Sequence, residues 1–232
     1  WPALDASGRY VAFLSDGSNL VTNSLMGTYH LYLRDLQVGT TMLVDVDTNA
    51  VGSLLTCATT PRLSADARFV AFECPDGQLV PNDHNGGLDV FMRDLAASSN
   101  ELVSAHDPAL ASPTPNGPSS VSINSITADG RYVAFASETN NLDGTDANGL
   151  RDIFVRDLAT GSNLLVSADA GGIPGNGFST EASISGDGRY VAFTSSATNL
   201  AYGDLNNAQD VFVRDMQTST TLLASKRANG SG

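Results

Sequence analysis

The sequence predicts an all-β fold built from four small antiparallel sheets, and three observations carry that prediction. Arg9-Tyr10-Val11-Ala12-Phe13 returns as Arg68-Phe69-Val70-Ala71-Phe72, Arg131-Tyr132-Val133-Ala134-Phe135 and Arg189-Tyr190-Val191-Ala192-Phe193, at spacings of 59, 63 and 58 residues. Each copy is followed, 25 residues on, by an Arg-Asp pair closing a second apolar string: Arg34-Asp35, Arg93-Asp94, Arg156-Asp157 and Arg214-Asp215. No segment carries a helical period. A fixed period of this size marks a repeat architecture, and small sheets apolar on both faces, repeated regularly, describe β-propeller blades packed face to face. A β-sandwich is the main competitor, but it would not place the same turn at the same offset in every unit.

The third unit shows the elements in order. Ser122 to Thr127 alternates toward Ala128-Asp129-Gly130, a tight-turn signal between two apolar runs. Tyr132 to Ser137 forms the second strand, Asp152 to Leu158 the third, and Asn163 to Ser167 the fourth, after the turn at Ala159-Thr160-Gly161-Ser162. The second and third strands are apolar on both sides, as a sheet covered on both faces requires. The other units follow the same plan. The first turn departs at Ser7-Gly8 and the second at Asp66-Ala67, where alanine fits a left-handed turn position poorly, so the second hairpin is expected to use a different turn.

These strands imply one propeller body over residues 1–232, with blades at about 1–52, 53–107, 118–168 and 178–226. Trp1-Pro2-Ala3-Leu4 aligns with the first strand of the later units, and Thr221 to Ser225 with the last. Four whole blades in phase are compatible with a closed four-bladed ring or with a partial arc of a larger propeller. Ala228-Asn229-Gly230-Ser231 matches the Asn176-Gly177-Phe178-Ser179 that leads into a first strand, as if another blade should follow. An arc would expose two apolar blade faces and would be completed by further blades, a partner or a homo-oligomer. The chain opens without Met, which suggests a processed product or a fragment.

Composition excludes some functions. The net charge of −13 comes from 25 acidic against 12 basic residues, with Lys226 the only lysine, and such a surface repels phosphate backbones and anionic lipid. Nucleic-acid and membrane-surface binding are therefore disfavoured. No apolar run reaches the roughly 20 residues of a membrane span, so no membrane insertion is expected. Abundant Asp, Asn and Gly suits loops that hold hard cations.

Three units share an acidic loop between their second and third strands: Asp83-x-Asn85-x-x-x-Asp89, Asp146-x-Asn148-x-x-x-Asp152 and Asp204-x-Asn206-x-x-x-Asp210. Oxygen side chains at the first, third and seventh places resemble the start of a calcium loop, where carboxylates and carbonyls converge on the ion at about 2.3–2.6 Å. No bidentate Glu follows, and the fifth place is Gly87, Leu150 or Ala208, so backbone carbonyls or water would complete the shell. The competing reading is a hydrogen-bonded Asx loop without metal. In the first unit Ser24, Met26 and His30 occupy these places, and the pattern is lost.

Catalytic signatures are missing. There is no Gly-x-Ser-x-Gly elbow, phosphate-cradling glycine loop or His-Glu-x-x-His, and His30, His84 and His106 have no metal spacing; His84 reads as a solvated loop residue. The recurrent Arg-Asp pairs and turn arginines read as interstrand or interblade ion pairs. Cys57 and Cys74 are expected to face each other across the second hairpin, where residue numbers summing to about 131 or 132 should pair. An oxidising compartment would then bridge them.

The run Ser-x-Asp-Gly-Arg-Tyr-Val-Ala-Phe followed by Asp-Val-Phe-Val-Arg-Asp resembles the Pro-Asp type, WD-like repeat of the TolB-like propeller family. That resemblance implies a bacterial periplasmic or secreted protein and covers all four units. The family includes scaffolds, binding modules and propeller domains of hydrolases, so fold alone does not set the activity. The expected function is a non-enzymatic, exported module that binds a protein or glycan through its loop face, with calcium in the acidic loops. The alternative is the propeller part of a larger, peptidase-type hydrolase that gates or positions substrate. A propeller lyase acting on acidic sugars would need a histidine cluster that three scattered histidines do not supply.

Overall fold

The computed structural model describes residues 2–57, 60–81, 83, 85–106, 117–139 and 141–226. Trp1, His84, most of the connection after His106 and the tail at 228–231 lie outside them. Every regular element among the described residues is a strand, and no helix there is long and apolar enough to cross a membrane. Blade 1 comprises β1 (Ala3–Leu4), β2 (Tyr10–Ser15), β3 (His30–Asp35) and β4 (Thr40–Leu43). Blade 2 comprises β5 (Arg62–Leu63), β6 (Phe69–Cys74), β7 (Asp89–Asp94) and β8 (Ser99–Leu102). Blade 3 contains β9 (Ser119–Ser120), β10 (Tyr132–Ser137), β11 (Asp152–Asp157) and β12 (Ser162–Leu165). Blade 4 contains β13 (Ser179–Ile184), β14 (Tyr190–Ser195), β15 (Asp210–Asp215) and β16 (Thr220–Leu223). Each is a four-stranded antiparallel meander, and the four are propeller blades. The chain forms two compact units, Trp1–Val103 and Ser104–Gly232.

The first strand of each blade departs most from expectation. In blade 3 the strand expected over Ser122 to Thr127 leaves only a lone bridge between Ile126 and Val133, and the paired first strand, β9, lies just before it. Between them Asn124 takes a left-handed φ of 55°, a conformation asparagine tolerates. Blade 4 shows a milder form, a register shift between Thr180 and Ser183 with Glu181 at φ 57°. The blade 4 irregularity is a bulge, which leaves a residue out of the ladder and re-aims the strand, whereas in blade 3 the ladder is interrupted between Ser120 and Ile126.

The expectation of a different second turn is overturned. Ala67 N–H donates to the Ser64 carbonyl at 3.0 Å, as Gly8 does to Asp5, Gly130 to Thr127 and Gly188 to Ser185. Ala67 accordingly sits at φ 55°, and the three glycines lie at 71° to 75°. Left-handed alanine costs about 1–2 kcal/mol. The carboxylate of Asp66 holds it there by accepting from the Ser64 hydroxyl and the Arg68 N–H.

Alternation gives each sheet two unlike apolar faces. In the second unit Ala134, Ala136, Ile153, Val155 and Val166 of blade 3 pack on Ile184, Val191, Phe193, Phe212 and Leu223 of blade 4. The first unit repeats this with Ala12, Leu31, Leu33 and Val44 of blade 1 against Val70, Phe72 and Phe91 of blade 2. Within each unit the first blade thus turns an alanine-bearing trailing face to the phenylalanine-bearing leading face of the second. The leading faces carry stacked pairs, Phe72–Phe91 and Phe193–Phe212, with centroids 5.9 and 5.8 Å apart.

The repeated arginines divide between two tasks. The turn arginine of each blade pairs with the aspartate ending the third strand, in Arg9–Asp35, Arg68–Asp94, Arg131–Asp157 and Arg189–Asp215. Each also lies over the ring of the next residue, at 4.7–4.9 Å from its centroid. The third-strand arginine reaches sideways instead. Arg214 Nη1 donates to the Ala168 and Asp169 carbonyls at 2.9 and 2.7 Å, beside Thr221, whose hydroxyl donates to Ala168 at 2.6 Å. Arg156 and Asn163 take the carbonyl of Ala105 in the same way. In the first unit Arg93 donates to Asn100, whose amide takes the Val46 carbonyl of blade 1 at 2.6 Å. This recurring clasp fastens a blade to the backbone just after the preceding fourth strand.

Candidate cation-binding loops

The loops between second and third strands emerge at the same end of each sheet as the connections to the next blade, and hydrogen bonds join the two. In blade 3 Asn148 Nδ2 donates to the Gly175 carbonyl at 3.0 Å. In blade 1 Gly52 N–H donates to Ser24 at 2.8 Å.

In blade 3 the structure brings the expected residues together. Asp146 and Asp152 are buried, Asn148 N–H donates to Asp146 Oδ1 at 3.2 Å, and Asn148 Nδ2 donates to Asp152 Oδ2 at 2.7 Å. Asp146 Oδ2 is buried with no hydrogen-bond partner among the described residues. Burial, reinforced by the charge of Asp152, pushes the Asp146 carboxyl up to about 6. Burial also raises Asp152, against the hydrogen bonds it accepts from Ser167 and Asn148.

Blade 4 is barer. Asp204 is only 5% exposed, and neither of its carboxylate oxygens has a partner among the described residues. Asp210 Oδ1 accepts from the Ser225 hydroxyl, and its buried Oδ2 has no partner there. Burial, then repulsion from Asp210, raises the Asp204 carboxyl. Two like charges withdrawn from water beside each other are unfavourable unless a proton or a cation joins them.

In blade 2 Asp83 and Asp89 are buried, and Asn85 N–H donates to Asp83 Oδ1 at 3.4 Å. The asparagine oxygen has one role in all three loops. It accepts the N–H two residues on, from Gly87 at 2.7 Å, Leu150 at 2.7 Å and Ala208 at 2.8 Å. Asn85, Asn148 and Asn206 therefore shape the loop as Asx turns. Among the described residues no group of three or more His, Cys, Asp or Glu side chains gathers as a metal centre. Any ion here would draw on two carboxylates plus backbone oxygens and water, a donor set that fits a hard cation.

Blade 1 contains a substitution that sequence reading missed. Its third strand starts with His30 where the others start with Asp89, Asp152 or Asp210. Its fourth strand is followed by Asp45 where the others have Ser104, Ser167 or Ser225. The two exchanges compensate, because His30 Nδ1 lies 3.0 Å from Asp45 Oδ2 with both side chains buried. Asp45 also accepts the Leu31 N–H and the Ser53 hydroxyl, at 3.0 and 3.1 Å. Burial pushes its carboxyl up to about 6, while His30 pulls against that. The visible signal was an acidic residue at a serine position beside a basic one at an acidic position.

Cys57 and Cys74 are both free and buried. The register expected to align them is corrected. The hairpin pairs Arg62 with Ala71 and Leu63 with Val70, one residue off the expected sum, and its ladder does not extend to Cys57. Packing still brings the two together, with the Cys57 thiol against Cys74 and its Sγ 3.8 Å from Asp45 Oδ2. Burial pushes the Cys57 thiol well up.

No family model matches the chain, and no curated protein matches it. Solved structures do. TolB from Acinetobacter baumannii is 18% identical with a TM-score of 0.51, over 96% of this chain and 42% of that one. A putative TolB from Agrobacterium tumefaciens is 15% identical with a TM-score of 0.56, over 98% of this chain and 61% of that one. The β-propeller domain of the Trilobed protease from Pyrococcus furiosus, described as having an open velcro topology, is 12% identical with a TM-score of 0.53, over 98% and 57%. The chain thus spans less than two thirds of each structure, and what it shares with them is the TolB-like β-propeller fold.

Proposed function

We propose that this chain is a non-enzymatic, exported propeller module that binds a protein or glycan partner through its loop face, with calcium held in the acidic loops. The observation that carries the reading is the set of buried carboxylate oxygens at Asp146, Asp204 and Asp210 that have no partner among the described residues. A divalent ion supplies the positive charge and the ligand demand that these groups leave unmet. It would also stiffen the end of the blades where binding residues most often sit.

Calcium should raise the melting temperature of the chelated protein. At 100 times Kd the gain is about 2.7 kcal/mol per site, and Asp146→Asn with Asp204→Asn should remove the share that comes from the loops of blades 3 and 4. Without calcium, the raised carboxyl of Asp146 favours the protonated form in the folded state. Its penalty is full above about pH 6 and is relieved as pH falls toward the ordinary aspartate range. The calcium increment should shrink through the same window, because protons compete for the same oxygens. An unchanged melting temperature with calcium in excess would sink the cation sites.

Export implies an oxidising compartment, where the adjoining thiols of Cys57 and Cys74 would close a bridge. Intact-mass analysis of periplasmically expressed protein should find two hydrogens fewer than in the reduced form. Cys74→Ser should restore the mass of a chain with one free thiol. Two alkylatable thiols in the unreduced, unfolded product would defeat the assignment.

A second reading, the substrate-positioning propeller of a larger hydrolase, is supported by the likeness to the Trilobed protease domain. A hydrolase segment in the same reading frame would decide for it.

A further inference from the structure

We infer that blade 1 carries a docking surface for the trailing face of blade 4 from a second copy of this chain. This goes beyond the proposed loop-face function and does not depend on the cation sites.

Within each unit the same interface recurs, an apolar leading face joined to a trailing face and fastened by the polar clasp. Where a trailing face is covered, it is dry: Ala134, Ala136, Ile153, Val155 and Val166 of blade 3 are at most 3% exposed. The same positions in blade 4 are Ala192, Thr194, Val211, Val213 and Ala224. There Val211 is 39% exposed, Ala224 is exposed and the other three are half-buried. A covered leading face is equally dry, with Ile184 at 5% and Phe193 at 1% in blade 4. In blade 1 the counterparts at the inner edge of the face are open, Leu4 at 62% exposed and Val11 and Phe13 half-buried, while those at its far edge, Tyr32 and Leu43, are covered by Leu20, Val21 and Leu25 of the same blade.

The polar clasp repeats the pattern. In blade 4 the Arg214–Thr221 pair holds the Ala168 carbonyl of the preceding blade. Blade 1 has the matching pair, with Arg34 Nη1 donating to Thr41 at 2.9 Å, and among the described residues no backbone carbonyl is recorded in that grip. The residue of blade 4 at the position of Ala168 is Lys226, so its carbonyl is the acceptor that such a clasp takes. One chain therefore offers the donor clasp and a phenylalanine-type face on blade 1, and the acceptor carbonyl with an alanine-type face on blade 4. Surfaces complementary to each other but not to themselves give heterologous, head-to-tail association.

The test compares sedimentation equilibrium of the wild-type chain with that of Leu4→Asp and Val211→Asp, both exposed positions whose change should leave the far-ultraviolet circular dichroism intact. The wild type should exceed the mass of one chain as concentration rises, and each variant alone should stay monomeric. An equimolar mixture should give a heterodimer, because one variant keeps an intact trailing face and the other an intact leading face. Arg34→Ala should weaken wild-type association at least about tenfold, as loss of a charged clasp at an interface does. A wild-type monomer at every concentration would overturn the inference, whether the faces were covered within one chain or by a different partner. So would variants that associate like the wild type, or a mixture that stays monomeric.

Discussion

Phe212→Ala is expected to lower the unfolding free energy by about 3–5 kcal/mol, the range for deleting a fully buried aromatic ring. Phe212 is completely buried and stacks on Phe193 at 5.8 Å. It lies in the cluster that joins blade 3 to blade 4. Its removal opens a void between two sheets, and neither can collapse into it while both are held by their ladders. Val211→Ala, one residue away on the partly exposed trailing face, should cost no more than about 1 kcal/mol by the same area argument. Urea unfolding of the two variants checks the contrast. Equal costs would mean that the phenylalanine face is not the one covered between these blades.

Arg214→Ala should cost about 2–4 kcal/mol. It removes charged hydrogen bonds to two carbonyls, the Ala168 one buried and the Asp169 one part-buried, and leaves Ala168 to the Thr221 hydroxyl alone. Thr221→Ala alone should cost less, because Arg214 still serves Ala168. The double variant should be non-additive by at least about 0.5 kcal/mol, since the two donors share that acceptor. Arg189→Ala should be milder than Arg214→Ala, because its ion pair with Asp215 lies partly in water, where such pairs contribute little. If Arg189→Ala proved the more damaging, the division of tasks between the two arginines would be reversed.

Much of this architecture was legible in the chain. The turn at Asp129-Gly130, the paired apolar strings and the offset between Arg131 and Asp157 are local or periodic features. Four copies of each averaged away the ambiguity of any single strand. The break in the first strand at Asn124 was not legible, because pairing there depends on what the strand meets beyond its own hairpin. The turn at Ala67 misled for a related reason. Propensity counted the strain of left-handed alanine but not the bonds from Asp66 that offset it. At the candidate site the aspartates were found by spacing, whereas the His30–Asp45 exchange needed the third and fourth strands laid side by side.

Four repeated blades, their strand order and the acidic loops can be read from the chain, since turn chemistry and two-residue alternation act over a few residues and recur at a fixed period. Packing of sheet on sheet decided which faces meet, which arginine turns outward to an aspartate and which reaches across to Ala168. It also decided which carboxylate oxygens of Asp146, Asp204 and Asp210 are buried without a partner among the described residues. The reason is physical: the clasp acceptors are backbone carbonyls, which every residue carries and no sequence pattern marks, and burial is set by the neighbouring sheet.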